Sequence, residues 1–257
     1  MNRLNDTDVK TKNSCDVVTR AIGEAAKRPE VTSFFDEPSN TASHVVRSPV
    51  SRRCAVIDSV LDYDAASGRT ATESADELIA FIRQQGLEVE WILETHVHAD
   101  HLSAAPYIKK RLGGALGIGE NIRVVQDVFG KVFNAGTEFQ RDGSQFDHLF
   151  IDGELFAIGD LDAVAVHTPG HTPACVTYVI GDAAFVGDTL FMPRLRHRAR
   201  RLPRWRRAYI VPLSPPHPVA PWRDTTVSLP RLQSARAQRI PLGNYGRSRA
   251  CAQRAYT

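Results

Sequence analysis

The chain has 257 residues, 42% of them hydrophobic, and a formal net charge of +3. That length can bury a full core, and no stretch approaches the roughly 18 consecutive apolar residues of a membrane-spanning helix. Met1 to Glu30 is polar and mixed in charge, without the apolar centre of a secretory leader, so neither a membrane partner nor export is expected. Cys15, Cys54, Cys175 and Cys251 are scattered and form no CxxC, the pattern of free thiols in a reducing, cytoplasmic setting. The modest net charge hides an asymmetry. Met1 to Pro193 holds 17 Lys plus Arg against 28 Asp plus Glu, whereas Arg194 to Thr257 holds 15 Arg, no Lys and one acid, Asp224.

In chain order, residues 1–30 read as a polar extension, flexible or weakly helical. From Val31 the pattern becomes that of an α/β protein. Cys54 to Asp58 is a short buried strand, followed by a turn-rich stretch from Asp62 to Arg69. Thr72 to Gln85 is a helix, with Thr72 as N-cap, Leu78, Ile79 and Ile82 as its apolar face, and Gly86 as its stop. Val89 to Leu93 is a buried strand. A helix is expected from His101 to Leu112, a strand over Ala115 to Ile118, and an amphipathic helix over Glu120 to Phe133 with Val124, Val128 and Val132 in register. Leu155 to Ile158, Ala163 to His167, Val176 to Ile180 and Ala184 to Val186 are strands. The turns Gly159-Asp160 and Gly181-Asp182 suit hairpins between them. After Pro193 the order stops. Arg194 to Arg207 has no helical or strand period, and Pro212 to Pro221 contains five prolines.

Three segments carry the chemistry. Thr95-His96-Val97-His98-Ala99-Asp100-His101 places three imidazoles and a carboxylate directly after a buried strand, where a tight turn aims them at one point. His171 follows Thr168-Pro169-Gly170, and Asp188 follows Val186-Gly187 at another strand end. His96, His98, His171 and Asp188 are the candidate metal ligands, and Asp100 and His101 are candidate catalytic or second-metal groups. His44, His148, His197 and His217 have no such partners, and His167 reads as structural.

These motifs resemble those of the metallo-β-lactamase superfamily. Phe35 to Thr41, Asp142 to Asp147 and Gly187 to Pro193 narrow the resemblance to the bacterial persulfide dioxygenases, also called β-lactamase hydrolase-like proteins. The resemblance covers Val31 to Pro193. It implies an αββα sandwich, with residues 31–193 as the catalytic core between the extension (1–30) and an Arg/Pro-rich tail (194–257). In that family Met-Pro is followed by an acidic, Gly-rich stretch and later by a Cys-His-Asp-Tyr motif, and this chain has neither. Reading each codon one base later restores both: allowed codon choices from Arg194 spell the acidic stretch, and those from Val227 spell Cys-His-Asp-Tyr. Trp205 and Trp222, which have a single codon each, both become the Gly the family carries. The tail is therefore expected to be an out-of-frame translation without regular structure, leaving the second half of the sandwich incomplete and the activity of this chain in question.

The resemblance implies one Fe(2+) held by His96, His171 and Asp188, a facial triad with open positions, with His98, Asp100 and His101 supporting it. The implied reaction oxidises a small-molecule thiol persulfide, glutathione persulfide, to sulfite. A rival within the fold is thioester hydrolysis of the glyoxalase II type, using two metals, with Zn(2+) as the alternative ion, and adding His98, Asp100 and His101 to the ligands. Outside the fold, the rivals are an inactive gene product and an Arg-rich nucleic-acid-binding protein. The frame slip accounts for the tail's basicity without a specific nucleic-acid partner.

Overall fold

The structure is a computed structural model that describes residues 3–98, 100–136, 138–190 and 210–212, the side chains of 3–8 and 210–212 excepted. Most of the expected tail, residues 194–209 and 213–257, lies outside the described residues.

The chain opens with α1 (Arg3–Gly23) and a 3-10 turn (Ala25–Lys27). There follow β1 (Glu30–Asp36), β2 (Thr41–Arg47), β3 (Arg53–Ile57), β4 (Val60–Asp64), β5 (Arg69–Ala71) and α2 (Glu73–Gln84). Next come β6 (Glu88–Leu93), β7 (Leu102–Ser103), α3 (Ala105–Leu112), β8 (Ala115–Gly119) and α4 (Ile122–Val132). The second half supplies β9 (His148–Phe150), β10 (Glu154–Ile158), β11 (Leu161–His167), β12 (Val176–Ile180), β13 (Ala183–Phe185), a 3-10 turn (Gly187–Thr189) and β14 (Ile210–Pro212).

Two sheets form the centre. The first has the order β1-β2-β3-β6-β8-β9 and the second β10-β11-β12-β13-β14, with a small β5-β4-β7 sheet beside them. β3, β6, β8 and β9 run parallel, so their C-terminal ends share one edge of the first sheet. The second sheet is antiparallel throughout. Val46, Ala55, Ile57, Leu93 and Phe150 of the first sheet meet Ile158, Ala163, Ala165, Tyr178, Ile180 and Phe185 of the second, sealing the space between them. Alternation along each strand gives these residues their shared face. The other face of the first sheet, with Val45, Cys54, Val56 and Ile92, is covered by Leu78, Ile79 and Ile82 of α2 and Ile108 of α3. The outer face of the second sheet, with Val164, Val166 and Val179, is covered by Val17 and Val18 of α1. The layers are thus helices, sheet, sheet, helix: the expected αββα sandwich.

Several expectations are corrected. Of the two expectations for the N-terminal segment the helical one holds, but the 21-residue helix is docked on the second sheet rather than extending from the core. The predicted helix from His101 starts only at Ala105, because Leu102 and Ser103 pair with Leu61 and Val60 as β7. Thr72 stands at the N-cap of α2 but makes no side-chain cap, since its hydroxyl donates to Asp76 Oδ2 instead. The turn-rich stretch after Asp62 contains a strand pair, β4 and β5. In α4 the stripe Val124, Val128 and Val132 faces outward, while Ile122 and Val125 are buried. Within the tail, Ile210–Pro212 departs from the expected lack of structure by pairing with β13. Among the described residues, no helix is long and apolar enough to cross a membrane.

Candidate metal centre

The centre sits where β3 and β6 end side by side. Beyond β3, Asp58 takes a left-handed backbone (φ 50°), and its amide donates to the Leu93 carbonyl at the end of β6. Its buried carboxylate accepts the Thr95 amide and the Thr95 hydroxyl, both at 2.8 Å. The second sheet grips the same turn from below: the Val176 amide donates to the Thr95 carbonyl at 2.8 Å, and the Tyr178 hydroxyl to the Glu94 carbonyl at 3.1 Å. The turn carrying the histidines is therefore fixed by both sheets.

His171 comes from the loop that follows β11, and Asp188 from the 3-10 turn that follows β13. Gly187 explains how that turn comes so close. Its φ is +49°, and a Cβ there would lie 2.3 Å from Thr95 Oγ1, so a side chain would push Asp188 away from His96. As it stands, Asp188 Oδ2 lies 3.4 Å from His171 Nε2 and 4.0 Å from His96 Nε2. The His96 and His171 rings meet edge to face, with centroids 5.0 Å apart. His96 and Asp188 are buried, whereas the His171 side chain is 38% exposed, so the group opens to solvent on the His171 side.

The Asp58–Thr95 contact also sets the His96 tautomer. The single Thr95 hydroxyl proton goes to Asp58, which can only accept. At 3.0 Å from His96 Nδ1, Thr95 Oγ1 must then accept from that nitrogen. The remaining His96 lone pair is on Nε2, the atom that faces Asp188, as a metal ligand requires.

His98 is held differently. Its Nε2 lies 2.9 Å from Glu94 Oε2 and 3.1 Å from Asp58 Oδ1. Burial pushes this imidazole down, but the two carboxylates outweigh it and hold His98 up at about 10. Burial would raise Asp58, and the His98 charge and hydrogen bond reverse this, keeping it well below the usual carboxylate range. Glu94 also accepts from Ser103 Oγ at 2.6 Å. Thr41 Oγ1 lies 3.2 Å from both Asp100 Oδ2 and His101 Nδ1. His98 Nδ1 and His101 Nε2 are buried and have no hydrogen-bond partner among the described residues.

The sequence candidates thus separate into two groups. His96, His171 and Asp188 bring ligand atoms within 4.8 Å of one another, and so do His98, Asp100 and His101. A third cluster, Asp58, Glu94 and His98, shares His98 with the second and is joined by hydrogen bonds from His98 Nε2 to both carboxylates. Asp58, Glu94, Thr95 and Thr41 were missed as site residues. Of these only Asp58 had a signal, an acid at the end of a buried strand. His44 is buried between Ser33 and Phe185, and His148 is paired with Glu154, so both are ordinary histidines as expected. Cys54 and Cys175 are buried free thiols, and Cys15 is half-buried in α1.

The metallo-beta-lactamase superfamily model matches residues 36–238, most of the chain. The chain belongs to the metallo-beta-lactamase superfamily. A probable metallo-hydrolase of Burkholderia pseudomallei is 58% identical over 173 residues, covering 63% of this chain and 59% of the relative. The human mitochondrial persulfide dioxygenase ETHE1 is 29% identical over 161 residues, covering 62% of this chain and 52% of that protein. The crystal structure of ETHE1 from Myxococcus xanthus superposes with a TM-score of 0.50 at 23% identity, over 63% of this chain and 59% of that one, a likeness of fold. The chain therefore spans little more than half the length of these relatives.

The superfamily fold implies a divalent metal site, and the first group fits one. Ligands about 2.0–2.2 Å from an ion stand roughly 2.8–3.6 Å apart at facial or tetrahedral angles; the 3.4 Å between Asp188 and His171 falls in that range, and the 4.0 Å between Asp188 and His96 would have to close by a few tenths of an ångström. Two imidazoles and one carboxylate suit iron and zinc alike.

Proposed function

We propose that this core is that of a glutathione persulfide dioxygenase, with one ferrous ion bound by His96, His171 and Asp188. The observation that carries the reading is the way His98 is engaged. Its ring centroid lies 4.1 Å from that of His96, yet its Nε2 is held by Glu94 and Asp58 and so turns away from the His96–His171–Asp188 set. A ferrous ion in such a triad supplies open positions at which dioxygen and a sulfur anion can meet. The chain's own residues do the rest. Asp58 and Thr95 keep the His96 lone pair on Nε2, Gly187 lets Asp188 approach, and the exposed side of His171 admits substrate. The net reaction converts glutathione persulfide, dioxygen and water to glutathione and sulfite, with release of two protons.

A second reading is favoured by one observation: the unbonded ring nitrogens of His98 and His101 beside Asp100 could hold a second ion. That arrangement suits a two-metal hydrolase acting on glutathione thioesters.

We also infer that residues 194–257 are an out-of-frame version of the family's C-terminal region, so the chain as written is nearly inactive. The charge switch after Pro193 and the restored Cys-His-Asp-Tyr motif support this. The experiment compares this chain with one carrying a one-base correction near the Pro193 codon, each loaded with Fe(2+). Oxygen uptake and sulfite release with glutathione persulfide are expected from the corrected chain. Thioester hydrolysis without oxygen uptake would transfer the assignment to the second reading. Equal activity of the two chains would remove the frame-slip account.

A further inference from the structure

His167 ends β11 four residues before His171, and its surroundings tie the His171 loop down. Its register partner across β12 is Val176, but on the other side β10 begins only at Glu154, opposite Ala165. No β10 residue continues the ladder to His167. The Asp152 side chain takes that place, its Oδ1 accepting the His167 amide at 2.8 Å. The turn holding Asp152 is pinned in turn: the Gly153 amide donates to the Ala165 carbonyl at 2.8 Å, and Asp152 Oδ2 pairs with Lys10 Nζ of α1 at 3.0 Å. The His167 ring reaches forward instead. Its Nε2 lies 2.7 Å from the Pro173 carbonyl, which can only accept, so Nε2 carries the proton and donates. With the proton on Nε2, the ring nitrogen left to accept from the Asn121 amide, at the start of α4, is Nδ1, 3.4 Å away. Pro173 is two residues beyond His171. The loop is therefore clamped at His167 on one side of the ligand and at Pro173 on the other, with one side chain making both ends meet.

We propose that Asp152 and His167 are positioning residues for the metal centre: Asp152 fixes the strand end, and the His167 ring closes the loop that presents His171. This rests on the reading of His171 as a metal ligand. Groups that orient ligands typically change metal affinity about 10- to 100-fold when removed. Accordingly, Asp152→Ala and His167→Leu should each weaken Co(2+) binding about 10-fold or more, while the melting temperature of the metal-free protein shows that the fold survives. Conservative variants discriminate positioning from general packing. Asp152→Asn keeps the acceptor for the His167 amide, and His167→Gln keeps a donor within reach of Pro173, so both should bind Co(2+) within about 3-fold of the unaltered chain.

The titration is read from the Co(2+) visible absorption bands, with His171→Ala as the reference. If His171→Ala binds Co(2+) with unchanged affinity and bands, the ligand assignment itself fails. If His171→Ala loses binding while Asp152→Ala and His167→Leu retain it with unchanged bands, the ligand stands and the positioning role is overturned. Failure of the conservative variants to rescue would also overturn it.

Discussion

Asp58→Ala is the sharpest test of how the turn at the metal centre is held. The carboxylate is buried and accepts three hydrogen bonds, from the Thr95 amide, the Thr95 hydroxyl and His98 Nε2. Alanine leaves the Thr95 amide without this acceptor, and a buried orphan of this kind costs about 1–3 kcal/mol. It also removes one partner of a buried charged pair, a change that costs about 3–5 kcal/mol in all. Glu94 still accepts from His98, which places the total at the lower end, about 3–4 kcal/mol. Asp58→Asn also loses the charge facing His98 but keeps an oxygen for the Thr95 amide, so it should cost about 1–2 kcal/mol less than alanine. Urea unfolding of the metal-free protein measures both, and a midpoint shift at constant m-value isolates stability. A loss below about 1 kcal/mol for alanine, or equal losses for the two variants, would refute the idea that this carboxylate holds the turn.

Three further outcomes follow from the same geometry. His96→Ala should abolish binding of the first metal, whereas His98→Ala should weaken it less, because His98 belongs to the other group; equal and complete loss in a dialysis assay would favour the two-metal site. Burial pushes His44 down to about 4, against the pull of Asp58. Its folded value lies below the unfolded value of about 6.5, so its contribution is present above pH 6.5 and fades as pH falls toward 4, by about 3 kcal/mol. His44→Gln should flatten the stability profile in that window, and parallel profiles would refute the assignment. Val18→Ala, in α1 against the second sheet, should cost about 1–2 kcal/mol, and the exposed Val9→Ala less than about 0.5 kcal/mol; equal thermal melts for the two would mean that α1 does not dock in solution.

Much of this architecture is legible in the sequence, and the exceptions have physical causes. β6 and the strands β10 to β13 of the second sheet read clearly, because each is a short apolar run with turn residues at its ends. That His96, His171 and Asp188 come together was legible because each follows a strand end. The docking of α1 was not, since polar side chains share its packed face: Lys10 and Asn13 anchor it by hydrogen bonds to Asp152 and the Gly153 carbonyl, and among the described residues Val17, Val18 and Ala21 are its buried apolar side chains. Periodicity found α4 but could not say which way it faces, because both the Val124 stripe and the Ile122–Val125 side are apolar. Asp58 was hidden for a simpler reason: an isolated acid after a strand looks like a turn residue until its partners, 37 and 40 positions away, are brought to it.

The central claim is a single iron site built from His96, His171 and Asp188. Its most direct test is the iron content of the metal-free chain after anaerobic dialysis against Fe(2+), measured beside His171→Ala. The account predicts one iron per chain and none in the variant. Two metals per chain, or full iron retention in His171→Ala, would contradict it.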